Sequence, residues 1–278
     1  MKVSKIAIIG GGKMGEAILA GLIASDKNPA VAFDAESFIV ANPGLARREY
    51  LEAKYGVKCV ASALEIEDAS LVILALKPQV MPSVLEEIRE HTESWNAPLG
   101  PLYISIAAGI TSLSLTKMLK PGARVVRTMP NVPLMVGEGM TAVVANGGAS
   151  TDDVFFVSDL FACLGRACVV EESCMDAVCA ISGSGPAYVA YMVEALCDAG
   201  VEQGLDKELA QELALQTVFG TAKLLSSSAE SPQQIRQSVC SPGGTTLAAL
   251  DAMDAIGFKE LFSAGVAAAT KRSKELGA

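Results

Sequence analysis

The chain has 278 residues, of which 51% are hydrophobic and 19% charged, so it is long enough for one large domain or two smaller ones with a substantial core. Its formal net charge of −9 argues against nucleic acid or an anionic membrane surface as the main partner. No apolar run approaches the ~18 residues that a membrane-spanning helix needs, and we expect a globular protein whose ligand is a small molecule.

The first predicted element is a short buried strand that ends in glycine. Ile6 to Ile9 is an uninterrupted apolar run, typical of a strand covered on both faces of a parallel sheet, and Glu16 to Ala24 predicts a helix. Between them, Gly10, Gly12 and Gly15 form the spacing G-x-G-x-x-G. Gly10 allows a tight turn, Gly12 lets the backbone approach a diphosphate, and Gly15 lets the helix pack closely on the strand. Because the helix N-terminus adds N–H groups and partial positive charge, the segment predicts a dinucleotide site.

The second predicted strand, Phe38 to Ala41, ends at Asn42. NAD-preferring enzymes carry an acid here to bind the ribose hydroxyls, whereas Asn42 leaves room for the 2′-phosphate of NADP. Arg47 and Arg48 follow in the first turns of the next helix, where they could hold that phosphate or could equally be solvated residues of the helix face. The pattern favours NADPH as the cofactor and leaves NADH possible.

Strands and helices alternate up to about residue 172, which indicates a doubly wound α/β (Rossmann) sheet over residues 1–172. The further predicted elements are strands at 57–60, 69–76, 103–106, 124–129, 139–145 and 167–170 and a helix at 152–164. Lys77 lies at the carboxyl end of the 69–76 strand, where open α/β sheets bind ligands. We expect it to contact phosphate or the nicotinamide ribose, with proton donation as the alternative.

From Cys174 onward only helices are predicted, so we expect residues 173–278 to form a separate all-α dimerisation domain. Pro186 suits the first turn of a helix, and the stretch Ala187 to Ala199 is apolar nearly all round. A segment of this size cannot cover such a helix by itself. We therefore expect a homodimer built on these helices.

A second glycine-rich segment, Ser241-Pro242-Gly243-Gly244-Thr245-Thr246, precedes another apolar helix. It would present several backbone N–H groups and two hydroxyls at one point, which suits a small anion such as a carboxylate. The alternative is an ordinary helix start with Thr245 as its cap.

Cysteine and histidine usage limits the chemistry. The seven cysteines include no Cys-x-x-Cys pair and lie among small apolar residues, which is typical of buried thiols in a reducing compartment. The start Met1 to Lys5, followed by an apolar segment, resembles a signal peptide, but the apolar part is only a few residues long and ends in glycines, as a strand does. We therefore expect a cytoplasmic protein. The single histidine, His91, lies in a polar stretch, and we expect no metal site and no histidine-based catalytic group.

Several segments together resemble the pyrroline-5-carboxylate reductase family, and they cover essentially the whole chain in the family's order. They are Gly10 to Gly15, Ala75-Leu76-Lys77-Pro78-Gln79, Ser105 to Gly109, Arg127 to Pro133, Ser182-Gly183-Ser184-Gly185-Pro186-Ala187-Tyr188, and Ser241 to Thr246. The resemblance implies reduction of L-1-pyrroline-5-carboxylate to L-proline with NADPH or NADH, the last step of proline biosynthesis. It also implies subunits paired through the helical domain, so that one subunit's sheet faces its partner's glycine–threonine loop, often in rings of dimers.

The resemblance also assigns site residues by position. Together with Gly15 and Arg47 from the motifs above, it implies cofactor contacts at Gly10, Gly11, Gly12, Lys13, Met14, Asn42, Ser62, Ala75, Leu76, Lys77, Pro78, Ile106, Ala107 and Ala108. It implies that the substrate carboxylate binds the backbone of Gly244, Thr245 and Thr246, next to Gly243, with Ser241 holding the loop and Glu172 on the substrate side. Cys179 departs from the family, since many members carry threonine there.

The proposed chemistry agrees with the residues available. A ketone reduced by hydride needs a proton donor, whereas a cyclic imine can bind already protonated, so that hydride transfer neutralises its charge. Positioning is then the main task, and we expect the Thr246 hydroxyl near the ring nitrogen. One alternative is a 2- or 3-hydroxyacid dehydrogenase, but its candidate lysine, Lys223, is followed one turn later by Ser227 where that class has asparagine. The other is a non-catalytic NADP(H)-binding regulatory protein.

Overall fold

The structure is a computed structural model that describes residues 3, 5–24, 33–92, 100–145 and 148–277, without the side chain of Ala145. Most of the opening residues considered as a possible leader lie outside this range. The chain divides into two compact units, Met1–Ser184 with Ala269–Ala278, and Gly185–Ala268. Each unit is described by itself.

The first unit contains an eight-stranded sheet in the order β3-β2-β1-β4-β5-β6-β7-β8. The strands are β1 (Ile6–Ile9), β2 (Phe38–Ala41), β3 (Lys58–Val60), β4 (Leu71–Leu74), β5 (Leu102–Ser105), β6 (Arg124–Met129), β7 (Gly139–Ala145) and β8 (Gly165–Val169). Strands β1 to β6 are parallel, β7 pairs antiparallel with β6, and β8 runs parallel to β7. The order in which the chain starts at β1 and winds outward in both directions is that of a doubly wound sheet.

The helices are α1 (Lys13–Ala24), α2 (Leu45–Tyr55), α3 (Met81–His91), α4 (Ser112–Met118), α5 (Thr151–Ala162), α6 (Met175–Val178), α7 (Gly185–Glu202), α8 (Lys207–Ser227), α9 (Pro232–Ser238), α10 (Thr245–Ala255) and α11 (Phe258–Leu276). The first unit holds α1 to α6 and the end of α11, and the second holds α7 to α10 and the start of α11. The predicted α/β fold followed by a helical region is confirmed, and no strand follows Cys174 in the part that the structure describes.

Both faces of the sheet are covered, which explains the unbroken apolar strands. In β1, Ile6 and Ile8 belong to one core cluster with residues of α1 and α5, while Ala7 and Ile9 belong to another with residues of α3 and α4. Strands β1, β2, β4 and β5 are buried along their whole length. Such burial is typical of parallel strands. Because β1 to β5 run in the same direction, their carboxyl ends lie at one edge of the sheet.

The helical unit exposes a large apolar surface. Helix α7 contains no fully buried residue, and the most exposed large apolar side chains of the unit include Tyr191, Phe219, Ile256 and Leu261, at 63–76% exposure. Monomeric proteins rarely expose so much apolar surface, which marks the unit as an interaction surface. None of the helices in the described ranges combines the length and apolar character of a membrane span.

Candidate cofactor and substrate sites

The loop after β1 requires glycine at two positions for steric reasons. Gly10 has φ +108°, and a Cβ atom placed on it would lie 2.3 Å from the carbonyl oxygen of Ala75. A Cβ on Gly15 would lie 2.1 Å from the carbonyl oxygen of Gly10. Gly12 differs, because a Cβ there would have no protein atom within 4 Å. Gly10 and Gly15 therefore close the loop, and Gly12 leaves its outer side open.

Helix α1 begins directly after this loop, and its first turn faces the same opening. The first intrahelical hydrogen bond in this turn runs from the Glu16 N–H to the Gly12 carbonyl at 2.9 Å, so the N–H groups of Lys13, Met14 and Gly15 precede the helical ladder. Free N–H groups at a helix start, with no side chain in front of them at Gly12, fit the diphosphate of a dinucleotide.

The other residues predicted to contact the cofactor follow the carboxyl ends of the neighbouring strands. The backbone N–H groups of Gly10, Ala75 and Ile106 bond to the carbonyls of Ala41, Ile9 and Leu74, at 2.9, 2.8 and 3.3 Å, which joins the ends of β2, β1, β4 and β5. Leu76, Ala107 and Ala108 continue from these ends, while Lys77 and Pro78 begin a short 3₁₀ helix. Ser62 follows β3 and caps a 3₁₀ helix, its Oγ accepting from the Leu64 N–H at 3.2 Å.

Asn42 and the two arginines are attached to the glycine loop and the end of β2. The Asn42 Oδ1 atom accepts from the Gly11 N–H at 3.3 Å. Arg47 donates from Nε to the Gly11 carbonyl at 2.5 Å, and Arg48 donates to the carbonyls of Asn42 and Pro43 at 2.8 and 2.7 Å. Both guanidinium groups therefore bind backbone atoms beside the glycine loop and the end of β2, and a phosphate contact by either arginine stays a prediction.

Glu16 holds α2 against α1 beside the same loop. Its carboxylate accepts from Arg47 at 2.5 Å, from Tyr50 and Lys54 at 3.0 Å each, and from Tyr55 at 2.8 Å. Burial raises the pKa of Glu16, but these hydrogen bonds outweigh it and lower the pKa to about 2. The carboxylate is thus charged at neutral pH, and its charge is compensated by Arg47 and Lys54.

Glu172, predicted on the substrate side, lies at the start of a 3₁₀ helix after β8. Its carboxylate accepts from the Arg127 guanidinium, from the Ser112 hydroxyl at 2.6 Å and from the Ser112 N–H at 3.4 Å. Burial raises the pKa of Glu172, but the bonds from Ser112 and Arg127 outweigh it and hold the pKa below its usual value. The side chain of Arg127 is only 4% exposed, so Glu172 is the counter-ion of a buried cation.

The sequence analysis missed this pairing. Arg127 stands between Val126 and Thr128 in an otherwise buried strand, and a cation in such a place requires an acidic partner. That signal was available from the sequence, but it does not tell which of the many acidic residues is the partner.

The second glycine segment lies in the helical unit. Gly243 has φ +70°, and the Gly244 N–H bonds to the Ser241 carbonyl at 3.0 Å in a tight turn. A Cβ on Gly244 would lie 2.3 Å from the Ser241 Oγ, so a side chain here would require that hydroxyl to rotate away. The interpretation of Thr245 as the helix cap is wrong, because Gly244 takes the cap position and Thr245 is the first residue of α10.

The start of α10 therefore offers its N–H groups to an anion. The first helical bond runs from the Ala248 N–H to the Gly244 carbonyl at 3.2 Å, which leaves the N–H groups of Thr245, Thr246 and Leu247 ahead of the ladder. N–H groups at a helix start, in residues that include two threonines, suit a small anion such as a carboxylate. Cys179, which departs from the family pattern, is the first residue of a π-helical turn in the first unit (Cys179–Gly183). Within the described residues no group of three or more potential metal ligands is found.

A doubly wound sheet with a glycine loop at its carboxyl edge, followed by an apolar helical unit, is the organisation of an oxidoreductase that uses a nicotinamide dinucleotide. A family model described as pyrroline-5-carboxylate reductase dimerisation matches residues 172–276, and one described as NADP oxidoreductase, coenzyme F420-dependent, matches residues 5–109. The pyrroline-5-carboxylate reductase of Synechocystis is 43% identical over 274 residues, which cover 98% of each chain. The chain belongs to the pyrroline-5-carboxylate reductase family.

Solved structures agree with this assignment. A pyrroline-5-carboxylate reductase from Coxiella burnetii superposes with a TM-score of 0.87 and 34% identity, covering 100% of both chains. The Plasmodium falciparum pyrroline carboxylate reductase, solved with NADP bound, gives a TM-score of 0.86 and 31% identity over 99% of this chain and 98% of that one. Similarity to a prephenate dehydrogenase from A. aeolicus, at 9% identity and a TM-score of 0.55, extends to the fold alone.

Proposed function

We propose that this protein reduces L-1-pyrroline-5-carboxylate to L-proline and prefers NADPH as hydride donor. The observation that carries the proposal is the full-length relationship, at 43% identity, to an enzyme of that name. The related region includes both glycine-rich segments, the one assigned to the cofactor and the one assigned to the substrate carboxylate. The NADP bound in the Plasmodium relative supports the choice of cofactor.

On this proposal, the N–H groups of the α1 start bind the diphosphate and the opening at Gly12 admits it. Asn42 and Arg47 bind the adenosine 2′-phosphate, which is supported by their attachment to the loop through Gly11. Ser62 contributes from the end of β3. The segments Ala75 to Pro78 and Ile106 to Ala108 contact the nicotinamide half, with Lys77 on phosphate or ribose rather than acting as an acid.

The substrate carboxylate binds at the start of α10, on the N–H groups of Thr245 and Thr246. The turn Ser241 to Gly244 gives these groups their direction, and Glu172 lies on the substrate side. We assign to Thr246 the hydroxyl that contacts the ring nitrogen. Since the two sets of residues belong to different compact units, we further propose that a homodimer, alone or in a ring of dimers, joins the sheet of one subunit to the loop of its partner, in the cytoplasm.

The proposed reaction does not require an acidic or basic side chain of the protein to transfer a proton. NADPH supplies the hydride when bound, and the imine carbon accepts it. A protonated imine becomes a neutral amine in that step, so no protein group must donate a proton. The single histidine agrees with this, since the His91 Nε2 lies 2.7 Å from the carbonyl of Ile66 and is committed there. The residues of this chain bind and orient, which lowers the barrier by holding reacting atoms ~3 to 3.5 Å apart.

The direct experiment follows the absorbance of NADPH and NADH with and without L-1-pyrroline-5-carboxylate, beside a panel of 2- and 3-hydroxy acids with NADP and NAD. We expect oxidation only with the cyclic imine, and faster with NADPH. Turnover of a hydroxy acid instead would indicate a dehydrogenase. Tight NADPH binding without any turnover would indicate a regulatory protein.

The role of Thr246 is tested by Thr246→Ala with Thr246→Ser as the matched control. We expect the alanine variant to raise the KM for the imine and to lower kcat about tenfold, because it loses one orienting hydrogen bond of about 1.4 kcal/mol. The serine variant keeps the hydroxyl and should stay near the wild type. A Thr246→Ala enzyme with unchanged kcat and KM would remove Thr246 from the site.

A further inference from the structure

We propose that the segment Ala269–Gly277 positions the turn 106–109 that follows β5, called the nicotinamide turn below, with Gly277 and Ser273 as its positioning residues. This inference rests on the proposed function, which assigns Ile106 to Ala108 to the nicotinamide half of the cofactor. The segment belongs to the first compact unit, although most of α11 belongs to the second. It makes two specific contacts within the first unit.

The first contact joins two glycines, backbone against backbone. Gly109 ends the nicotinamide turn with φ +81°, and a Cβ placed on it would lie 3.0 Å from both the Gly277 nitrogen and the Leu276 Cβ. A Cβ placed on Gly277 would lie only 1.9 Å from the Gly109 carbonyl oxygen. Neither residue can carry a side chain without displacing the other, so the position of the turn depends on Gly277.

The second contact anchors the same segment next to Glu172. The Ser273 hydroxyl donates to the Asp176 Oδ1 at 2.7 Å, and Ser273 is only 3% exposed. Asp176 is one helical turn beyond Glu172, and Glu172 accepts from Ser112, three residues after Gly109. The segment thus contacts the nicotinamide turn through Gly277, and through Ser273 it contacts the helical segment that carries Glu172, the acid assigned to the substrate side.

Hydrogen bonds hold the beginning of the turn to the ends of β5 and β6. The Ala107 N–H bonds to the Ser105 Oγ at 3.3 Å, and the Thr128 Oγ1 donates to the Ser105 carbonyl at 3.1 Å. These bonds fix where β5 ends, and the Gly277 contact fixes the far end of the turn. Since hydride transfer is sensitive to displacements of about 1 Å, both ends matter for the nicotinamide ring.

The test compares Gly277→Ala and Ser273→Ala with Lys274→Ala, an exposed residue of the same segment, in the full chain. Gly277 has no positive φ, so alanine brings steric contact without backbone strain. We measure kcat and KM with L-1-pyrroline-5-carboxylate, the Kd of NADPH by nicotinamide fluorescence, and the inhibition constant of adenosine 2′,5′-bisphosphate. The last compound contains the 2′-phosphate that Arg47 would bind and one of the two diphosphate phosphates that α1 would bind, but no nicotinamide.

We expect Gly277→Ala to lower kcat about tenfold and Ser273→Ala about threefold, with Lys274→Ala unchanged. The inhibition constant of adenosine 2′,5′-bisphosphate should stay within twofold in all three, whereas general destabilisation would change it together with kcat. An unchanged kcat in Gly277→Ala, or a parallel loss of adenosine 2′,5′-bisphosphate binding, would overturn the inference. If the wild type does not reduce the imine, the proposed function fails, and the Kd of NADPH against that of the bisphosphate still decides the role of Gly277.

Discussion

Replacing Glu172 by glutamine tests its ion pair with the buried Arg127 in the first unit. Glutamine keeps the size of the side chain and one acceptor oxygen, but it removes the negative charge opposite Arg127. The guanidinium then stays in a place where its side chain is 4% exposed, without a carboxylate. Ser112 keeps one possible acceptor, so the loss is one of charge rather than of shape.

The size of the effect follows from burial. Removing one partner of a fully buried ion pair costs about 3–5 kcal/mol. Glu172 is 27% exposed and glutamine still accepts one hydrogen bond, so we expect roughly half of that, about 2 kcal/mol. For a unit of this size such a loss lowers the melting temperature by about 4–8 °C. The double variant Glu172→Gln/Arg127→Met should recover part of the loss, because it leaves no buried charge unpaired.

The pH dependence separates the charge from other effects of the substitution. The pKa of Glu172 is lowered in the folded protein from its usual value of 4.5, so the pair contributes stability above pH 4.5 that is lost as the pH falls through the folded pKa. Urea unfolding of wild type and variant at pH 7, 4 and 3, at one protein concentration, should show a difference that is largest at pH 7. An equal difference at all three values, or an equal loss in the exposed neighbour variant Glu171→Gln, would refute the reasoning.

Three further predictions concern the glycine loop and its surroundings. Gly15→Ala brings a Cβ within 2.1 Å of the Gly10 carbonyl oxygen and should lower both the melting temperature and the affinity for NADPH. In Gly12→Ala the new Cβ has no protein atom within 4 Å, so this variant should lower the affinity for NADPH alone. Equal melting temperatures in the two variants would contradict this prediction. Arg47→Ala should raise the Kd of NADPH about 10- to 100-fold and that of NADH less, and an unchanged ratio would exclude a 2′-phosphate contact. Glu16→Gln should lower stability at pH 7 by about 2 kcal/mol. Because the folded pKa is about 2, this difference should shrink between pH 4.5 and 2, and a difference that persists at pH 2 would contradict the assignment.

The sheet could be predicted because its strands are short apolar runs bounded by glycine, asparagine or proline. Strand β2 begins and ends where the sequence predicted it, at Phe38 and Ala41. The predicted strand 69–76 extends two residues beyond β4, Leu71–Leu74, at each end, because the flanking residues are also small or apolar. Apolar character alone therefore does not define where a strand begins or ends.

The side-chain contacts could not be predicted, since they join residues far apart in sequence. The Glu16 carboxylate accepts hydrogen bonds from residues between Arg47 and Tyr55, which are more than 30 residues away in sequence. Ser273 donates to Asp176, which is 97 residues away. Local patterns determine helices and strands, but they do not show which surfaces meet. The glycine at 277 is the clearest case, because in the sequence it resembles an ordinary helix end and only its distance to Gly109 gives it a role.

The local charge beside the glycine loop matters more for cofactor binding than the net charge of the whole chain. A protein with a net charge of −9 is proposed to bind a cofactor that carries several phosphates. Glu16 in the first turns of α1 would repel such a ligand, since carboxylate and phosphate would share one helix N-terminus. Arg47 binds Glu16 and the Gly11 carbonyl at once, and so cancels the charge next to the loop while its guanidinium stays at the cofactor edge. Arg127 likewise neutralises the charge of Glu172. With Glu16 compensated, the N–H groups at the start of α1 dominate the local field there, so a net charge of −9 is compatible with the proposed dinucleotide.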